Sequence, residues 1–375
     1  MEWSLLVMSF ALGAVLGSFG NVVSYRLPRG ESLVSPPSHC PNCGHRLGAL
    51  DLVPVLSWVF LRRRCRYCRA PISARYPIGE LLMGLVFLAI EARFPLLDFG
   101  WGTVGMWVLA FVLLVASSVD INERTIPDSL TLPAVAVGLV VAFANGDGAL
   151  GLPNPPQALQ GALLGAGLLV LVGGYGSWVL RRFAEPRFPD FPIGFPQVFL
   201  GALVGAWLGP VWGTAVGGAS TLVNLARGKV LRVPDWLTLG GLLASVVLLS
   251  FSFGPGIISG VQGATQAAGA LALLAGVYWA FTPEDEDADR EASDPVAMGF
   301  GDVKLAAVIG AFLGWPGLIV TLAVAILLGA VLGVIGRLFG AGRELPFGPY
   351  LALGAMVAML VGTAPLDAYL RAVGL

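Results

Sequence analysis

Charge is scarce in this chain of 375 residues. Only 12% of its positions are Asp, Glu, Lys or Arg, where a soluble domain carries about 25%. Together with 56% hydrophobic residues and a mean hydropathy of +0.81, that scarcity excludes an ordinary soluble domain and points to an all-α polytopic membrane protein. Histidine is scarcer still: there are two, His39 and His45, and neither lies near a serine-centred motif, so a Ser–His hydrolase has no support. No glycine-rich nucleotide loop marks a cofactor pocket. The amino terminus carries Glu2 where a secretory leader has basic residues, so the first apolar run is expected to be an uncleaved span.

The apolar runs suggest about twelve transmembrane helices, among them residues 3–25, 77–92, 198–209, 303–313 and 318–335. With the amino terminus outside, 20 of the 22 Lys and Arg fall on the cytoplasmic side, and only Arg93 and Arg371 lie outside. The expected organisation is a first transmembrane helix at 1–28 and a small cytoplasmic segment at 29–76. Helices with a first functional aspartate follow at 77–184, then duplicated extra helices with an acidic loop at 185–290, and helices with a Gly-Phe-Gly-Asp motif at 291–375.

All four cysteines lie in the cytoplasmic segment, as Cys40-Pro-Asn-Cys43 and Cys65-Arg-Tyr-Cys68, with 21 residues between the pairs. Two Cys-x-x-Cys knuckles at this spacing fit a tetrahedral zinc site with thiolates at about 2.3 Å. A redox pair is the alternative, disfavoured in a reducing cytoplasm. Four sulfur ligands leave no open position, which makes the site structural, with His39 and His45 as bystanders. Such a segment is too small to bury a core, the case in which a metal replaces one. Nearby, Arg62, Arg63, Arg64 and Arg66 fit acidic lipid headgroups, a substrate, or no more than a topology signal.

Carboxylates at membrane depth cost on the order of 3 kcal/mol, and those retained are usually functional. Asp302 opens an apolar helix in Gly299-Phe300-Gly301-Asp302-Val303-Lys304, and Asp120 ends another apolar run shortly before Pro127-Asp128. A self-comparison links the two. Thr125-Ile-Pro-Asp128-Ser-Leu-Thr-Leu132 recurs as Arg232-Val-Pro-Asp235-Trp-Leu-Thr-Leu239, an offset of 107, and the stretch from Gly194 to Gly209 recurs from Gly299 to Gly314, an offset of 105. Across this tandem repeat Asp302 aligns with Gln197, and the counterpart of Asp120 is Arg227. Each copy keeps a different aspartate, so one composite acid/base pair is expected. Gly299 and Gly301 remove side chains beside Asp302, letting an extended substrate backbone approach. Asp128 and Asp235 read as helix N-caps. Glu80 and Lys304 read either as assistants or as boundary charges. The acidic run 284–291 reads as a solvated linker, with steering of a basic substrate as the alternative.

Further motifs run along the chain: Gly17-Ser-Phe-Gly-Asn-Val-Val-Ser-Tyr-Arg-Leu-Pro28, the two knuckles flanking Asp51-Leu-Val-Pro-Val-Leu-Ser-Trp58, Arg75-Tyr-Pro-Ile-Gly-Glu80, and Pro346-Phe-Gly-Pro-Tyr-Leu351. With Asp120 and Gly-Phe-Gly-Asp302, they resemble the type IV prepilin leader peptidases, membrane aspartyl peptidases that are also N-methyltransferases. The resemblance spans most of the chain outside roughly residues 185–290, where four spans are expected beyond the family's usual eight. It implies catalysis by Asp120 and Asp302, cleavage of basic leaders from prepilins and pseudopilins at the cytoplasmic face of a bacterial inner membrane, and methylation of the new amino terminus by S-adenosylmethionine. The implied partners are these substrates and the lipid bilayer, with no nucleic acid. A transporter built on same-direction repeats and a pilin-binding paralogue without cleavage remain as alternatives.

Overall fold

The computed structural model describes residues 2–146, 152–180, 191–231, 233–251, 253–282, 299–338 and 346–372. Within them there are helices and loops, no strand, and two isolated β-bridges. In chain order the helices are α1 (Glu2–Arg26), α2 (Leu56–Phe60), α3 (Arg75–Arg93), α4 (Leu96–Phe99), α5 (Trp101–Glu123), α6 (Asp128–Asn145) and α7 (Pro155–Leu180). They continue as α8 (Phe195–Leu208), α9 (Pro210–Arg227), α10 (Asp235–Ser250), α11 (Ile257–Ala280), α12 (Phe300–Leu338), α13 (Gly348–Val361) and α14 (Ala364–Ala372).

Among the described residues six helices are long and apolar enough to cross a membrane, or seven if α13 and α14, bent by 86°, count as one span. This is fewer than the twelve expected, for identifiable reasons. The runs 303–313 and 318–335 count once, as α12, although the backbone at Gly314 is non-helical and divides that stretch into two helical parts. Helix α8, with 14 residues, reaches only about 21 Å at 1.5 Å per residue, short of a hydrocarbon core of about 30 Å. Helix α3 spends its ends on Arg75, Glu80, Glu91 and Arg93.

The chain forms two compact units. The first comprises Met1–Leu130, Val140–Leu152 and Ile319–Leu375, and the second Thr131–Leu139 and Pro153–Leu318. In the first, α1 lies along α3 because glycines remove the side chains between them: Gly13 faces Met83 and Phe87, and Gly17 faces Glu80. Phe87 of α3 stacks on Trp107 of α5 with ring centroids 5.4 Å apart. Val23, Val115 and Val119 form a buried cluster, flanked by Phe111 and Leu130, beside the end of α5.

The second unit is held together by close backbone crossings of the kind small residues permit between membrane helices. A Cβ on Gly161 or Gly165 of α7 would run into the backbone of Gly310 or Ala306 on α12. A Cβ on Gly263 of α11 would likewise run into Gly205 on α8. Gly209 (φ 89, ψ 168) ends α8 and Gly314 (φ 65, ψ −179) breaks α12 in nearly the same extended, positive-φ conformation. Helices α6 and α10 both start after a proline, Pro127 and Pro234. Those prolines occupy the N-cap positions, so Asp128 and Asp235 are the first helical residues and not the caps expected. At Asp128 the acidic residue complements the positive end of the helix dipole. The acidic run 284–291 lies outside the described residues.

Candidate functional site

Asp120 sits in the last turn of α5 and is buried, with 7% of its surface exposed. The helix stops one turn later, where Arg124 adopts a left-handed conformation (φ 56) and its amide closes back onto the Asp120 carbonyl. The carboxylate does not face an empty space. Its Oδ2 accepts the backbone N–H of Gly348 at 2.9 Å, at the opening of α13. A helix start offers amide donors and a positive dipole end, which suits a carboxylate. A Cβ on residue 348 would stand 2.7 Å from that oxygen and 3.3 Å from Ile126 Cδ1, so a side chain there would push the carboxylate out of this position. The motif Pro346-Phe-Gly-Pro-Tyr is visible in the sequence, but Gly348 was not among the candidate site residues. Its signal was a glycine between a helix-starting proline pair.

Asp302 lies in the first turn of α12 and is also buried, at 9% exposure. Its amide donates to the Gly299 carbonyl at 3.2 Å. Gly299 itself is exposed, and a side chain there would meet nothing nearer than Asp302 Oδ2 at 3.6 Å. Two residues on, Lys304 is buried with its ammonium 5.1 Å from the Phe300 ring centroid, a cation–π contact and not a solvated boundary charge. Asp120 belongs to the first unit and Asp302 to the second. Gln197, the sequence counterpart of Asp302, is fully buried; its Oε1 accepts the Gly194 N–H at 3.0 Å, and its Nε2 has no partner among the described residues.

The four cysteines converge. Their sulfur atoms all lie within 4.8 Å of one another, and Cys40 Sγ is 3.8 Å from Cys68 Sγ. A tetrahedron with metal–sulfur bonds of about 2.3 Å has edges of about 3.8 Å, so the donor set fits such an ion. The two knuckles share one backbone design. Gly44 N–H returns to Cys40 O at 2.8 Å and Arg69 N–H to Cys65 O at 3.1 Å, with Gly44 (φ 68) and Arg69 (φ 61) both left-handed. Bridges His39–Arg46 and Arg64–Pro71 close the two knuckles in the same way. The Cys43 amide favours the thiolate at Cys40, and the Ala70 amide holds Cys68 at about 6. At Cys43 the His45 amide also favours the thiolate, yet burial and the neighbouring sulfurs outweigh it and push the group up to about 11. Sulfurs this close repel a further negative charge, which is what a cation at their centre relieves.

Asp51 ties the knuckles together. It accepts from the Gly48 amide at 3.1 Å, from Arg66 at 2.6 Å and from Tyr67 at 3.3 Å. Burial opposes its ionisation, but Arg66 and the Gly48 amide win and hold the carboxyl below the usual range. His45 lies against Tyr67 with ring centroids 3.6 Å apart and the planes tilted by 32°, so it packs beside the cluster. The segment is anchored to the helices at three points. Glu80, buried on α3, accepts the Val55 N–H at 2.7 Å, a structural role that neither sequence alternative foresaw. Arg29 pairs with Glu123 at 2.6 Å and Arg75 donates to Asn122 at 2.7 Å, so both ends of the segment grip the turn that follows Asp120.

Comparison with known proteins shows the family. Residues 11–94 match the family model described as the bacterial peptidase A24 N-terminal domain. Residues 107–226 and 229–334 match that of the type IV leader peptidase family; the first stretch holds Asp120 and the second Asp302. A prepilin leader peptidase/N-methyltransferase of Aeromonas hydrophila is 36% identical over 233 residues, covering 56% of this chain and 75% of the relative. One from Myxococcus xanthus is 38% identical over 204 residues, or 54% and 56% of the two chains. Another from Aeromonas salmonicida is 27% identical over 401 aligned positions, covering 100% of this chain and 96% of the relative. No solved structure matches the chain.

Proposed function

Because the chain belongs to the type IV leader peptidase family and is an enzyme of that family, we propose that it cleaves the leader peptides of type IV prepilins or pseudopilins with Asp120 and Asp302 as the acid/base pair. Two close carboxylates share one proton. The ionised one draws a proton from water, and that water attacks the scissile carbonyl. The protonated one gives its proton to the carbonyl oxygen, and the proton held by the first then passes to the leaving amine. No residue need become covalently attached to the substrate.

The observation that carries this reading is the setting of Asp120: a buried carboxylate oriented by the Gly348 amide, in space that any larger residue would fill. A merely helix-ending aspartate would be solvated. Exposed Gly299 leaves the backbone beside Asp302 open to an extended peptide, which is the role given to it and to Gly301. The segment at 29–76 would hold zinc through Cys40, Cys43, Cys65 and Cys68. With all four positions taken by sulfur, the ion would order the segment and take no part in the chemistry. By resemblance the new amino terminus is then methylated, the methyl group coming from S-adenosylmethionine. By resemblance the membrane is a bacterial inner one, and the charge distribution favours the amino terminus outside and the site on the cytoplasmic side.

We also infer that the helices of 185–290 are a duplication. The matched proline starts of α6 and α10, the matched glycine breaks Gly209 and Gly314, and the paired contacts Gly263–Gly205 and Gly161–Gly310 support it.

The deciding experiment is cleavage of a prepilin by the purified full-length chain in liposomes, beside Asp120→Asn and Asp302→Asn. Cleavage by the wild type and loss in both variants, with melting temperatures unchanged, is the expected result. Activity in either variant would remove that residue from the pair.

A further inference from the structure

We propose that α2 and the arginine loop after it form an interfacial anchor that inserts into an anionic phospholipid surface. Helix α2 is five residues long and is held from behind. Glu80 accepts the Val55 amide at its start, and the Trp58 indole donates to the Ile72 carbonyl at 3.1 Å. The opposite side carries Leu56, Val59 and Phe60, which are exposed, Phe60 by 80%, with Leu50 exposed by 73% in the turn before. A polar-rich segment of this size has no reason to present so much apolar surface to water.

Directly after this face come Arg62, Arg63 and Arg64, all exposed. Among the described residues none of them forms an ion pair, and Asp51, the one acid between residues 32 and 74, is held by Arg66. Six arginines lie in that stretch, so even a dication with four thiolates, which carries two negative charges, leaves it net positive. The backbone adds a separate pointer. The helix closes through Arg63 N–H to Trp58 O at 2.8 Å, with Arg62 (φ 53) and Arg63 (φ 64) both in the left-handed region. That closure ordinarily places glycine at the left-handed position. Arginine there is strained, and strain of this kind clusters at functional sites; Arg63 also lies over the Trp58 ring, 5.8 Å from its centroid.

An apolar helix face bordered by arginines is the composition of a membrane-surface element: the apolar side enters the acyl boundary and guanidinium groups pair with phosphate. An anionic lipid surface satisfies both features at once. The hydrophobic segment of a substrate would account for the apolar face alone.

The test uses the full-length protein with p-benzoylphenylalanine at position 60, in nanodiscs of zwitterionic lipid or of mixed zwitterionic and anionic lipid. After irradiation, mass spectrometry should find phospholipid adducts, several-fold more abundant with anionic lipid. Arg62→Gly/Arg63→Gly relieves the backbone strain, so the segment keeps its fold and its metal content, yet the anionic preference should vanish. Equal yields in the two lipid mixtures, no adduct at all, a preference that survives the double glycine variant, or adducts transferred to added prepilin would each overturn the proposal.

Discussion

Where α7 crosses α12, Gly161 lies against the backbone of Gly310; where α11 crosses α8, Gly263 lies against that of Gly205. Both partner helices reach a positive-φ glycine at the same distance beyond, Gly314 and Gly209. The openings of those helices then differ: α12 begins with buried Asp302, α8 with buried Gln197, whose carbonyl oxygen is occupied by the Gly194 amide. Close helix crossing depends only on absent side chains, so it survives any change at the helix start. Proton transfer depends on a carboxyl group, and an amide neither gains nor loses a proton near neutral pH. The second crossing therefore has the close helix approach without a carboxyl group at the helix opening.

The comparison breaks most sharply at the two helix openings. Asp302→Asn should lower prepilin cleavage by about 10²–10⁴-fold, whereas Gln197→Asp should leave the cleavage rate unchanged; restoration of activity to Asp302→Asn by Gln197→Asp would mean that the two openings are interchangeable. Next come the crossings. Gly161→Leu and Gly263→Leu should each destabilise the protein in detergent by about 1–3 kcal/mol, read as a lowered unfolding midpoint. Only Gly161→Leu should also cost activity, because only α12 carries one of the two aspartates proposed to be catalytic. Gly348→Ala tests the other aspartate: crowding Asp120 Oδ2 should reduce cleavage by up to about 100-fold with little change in the unfolding midpoint.

The smallest effect lies outside the repeated helices. Asp51 has a lowered folded pKa, so its contribution to the cysteine-bearing segment is present above the unfolded value of about 3.9 and is lost as pH falls through the folded one. Trp58 fluorescence followed into acid should therefore report loosening below about pH 4 that is weaker in Asp51→Asn, which has already lost it.

Much of this was legible in the sequence because it rests on spacing and composition. The Cys-x-x-Cys pairs imply a shared centre whatever the intervening loop does, and the sulfurs do converge. The membrane character follows from apolar content alone. The number of spans falls short of the twelve expected because apolar content does not register helix length: α8 has only 14 residues, whereas the turn read at Gly314 and Pro316 is where the backbone of α12 does break. Glu80 was ambiguous for a similar reason. A carboxylate near a helix start looks like a boundary charge until the loop it holds, with Val55 at φ 62, is seen folded back onto it.

The sequence by itself determined the membrane class, the pairing of the four cysteines and the doubled motifs, and it singled out the two aspartates of the proposed site, since each depends on residue identity at short range. Tertiary structure alone decided that Gly348 belongs to the site, that Glu80 and the pair Arg29 and Arg75 fasten the cysteine segment beside Asp120, and that Phe60 faces outward. These depend on which backbone amide or side chain arrives from far along the chain, Gly348 from 228 residues beyond Asp120, and no local pattern encodes that arrival.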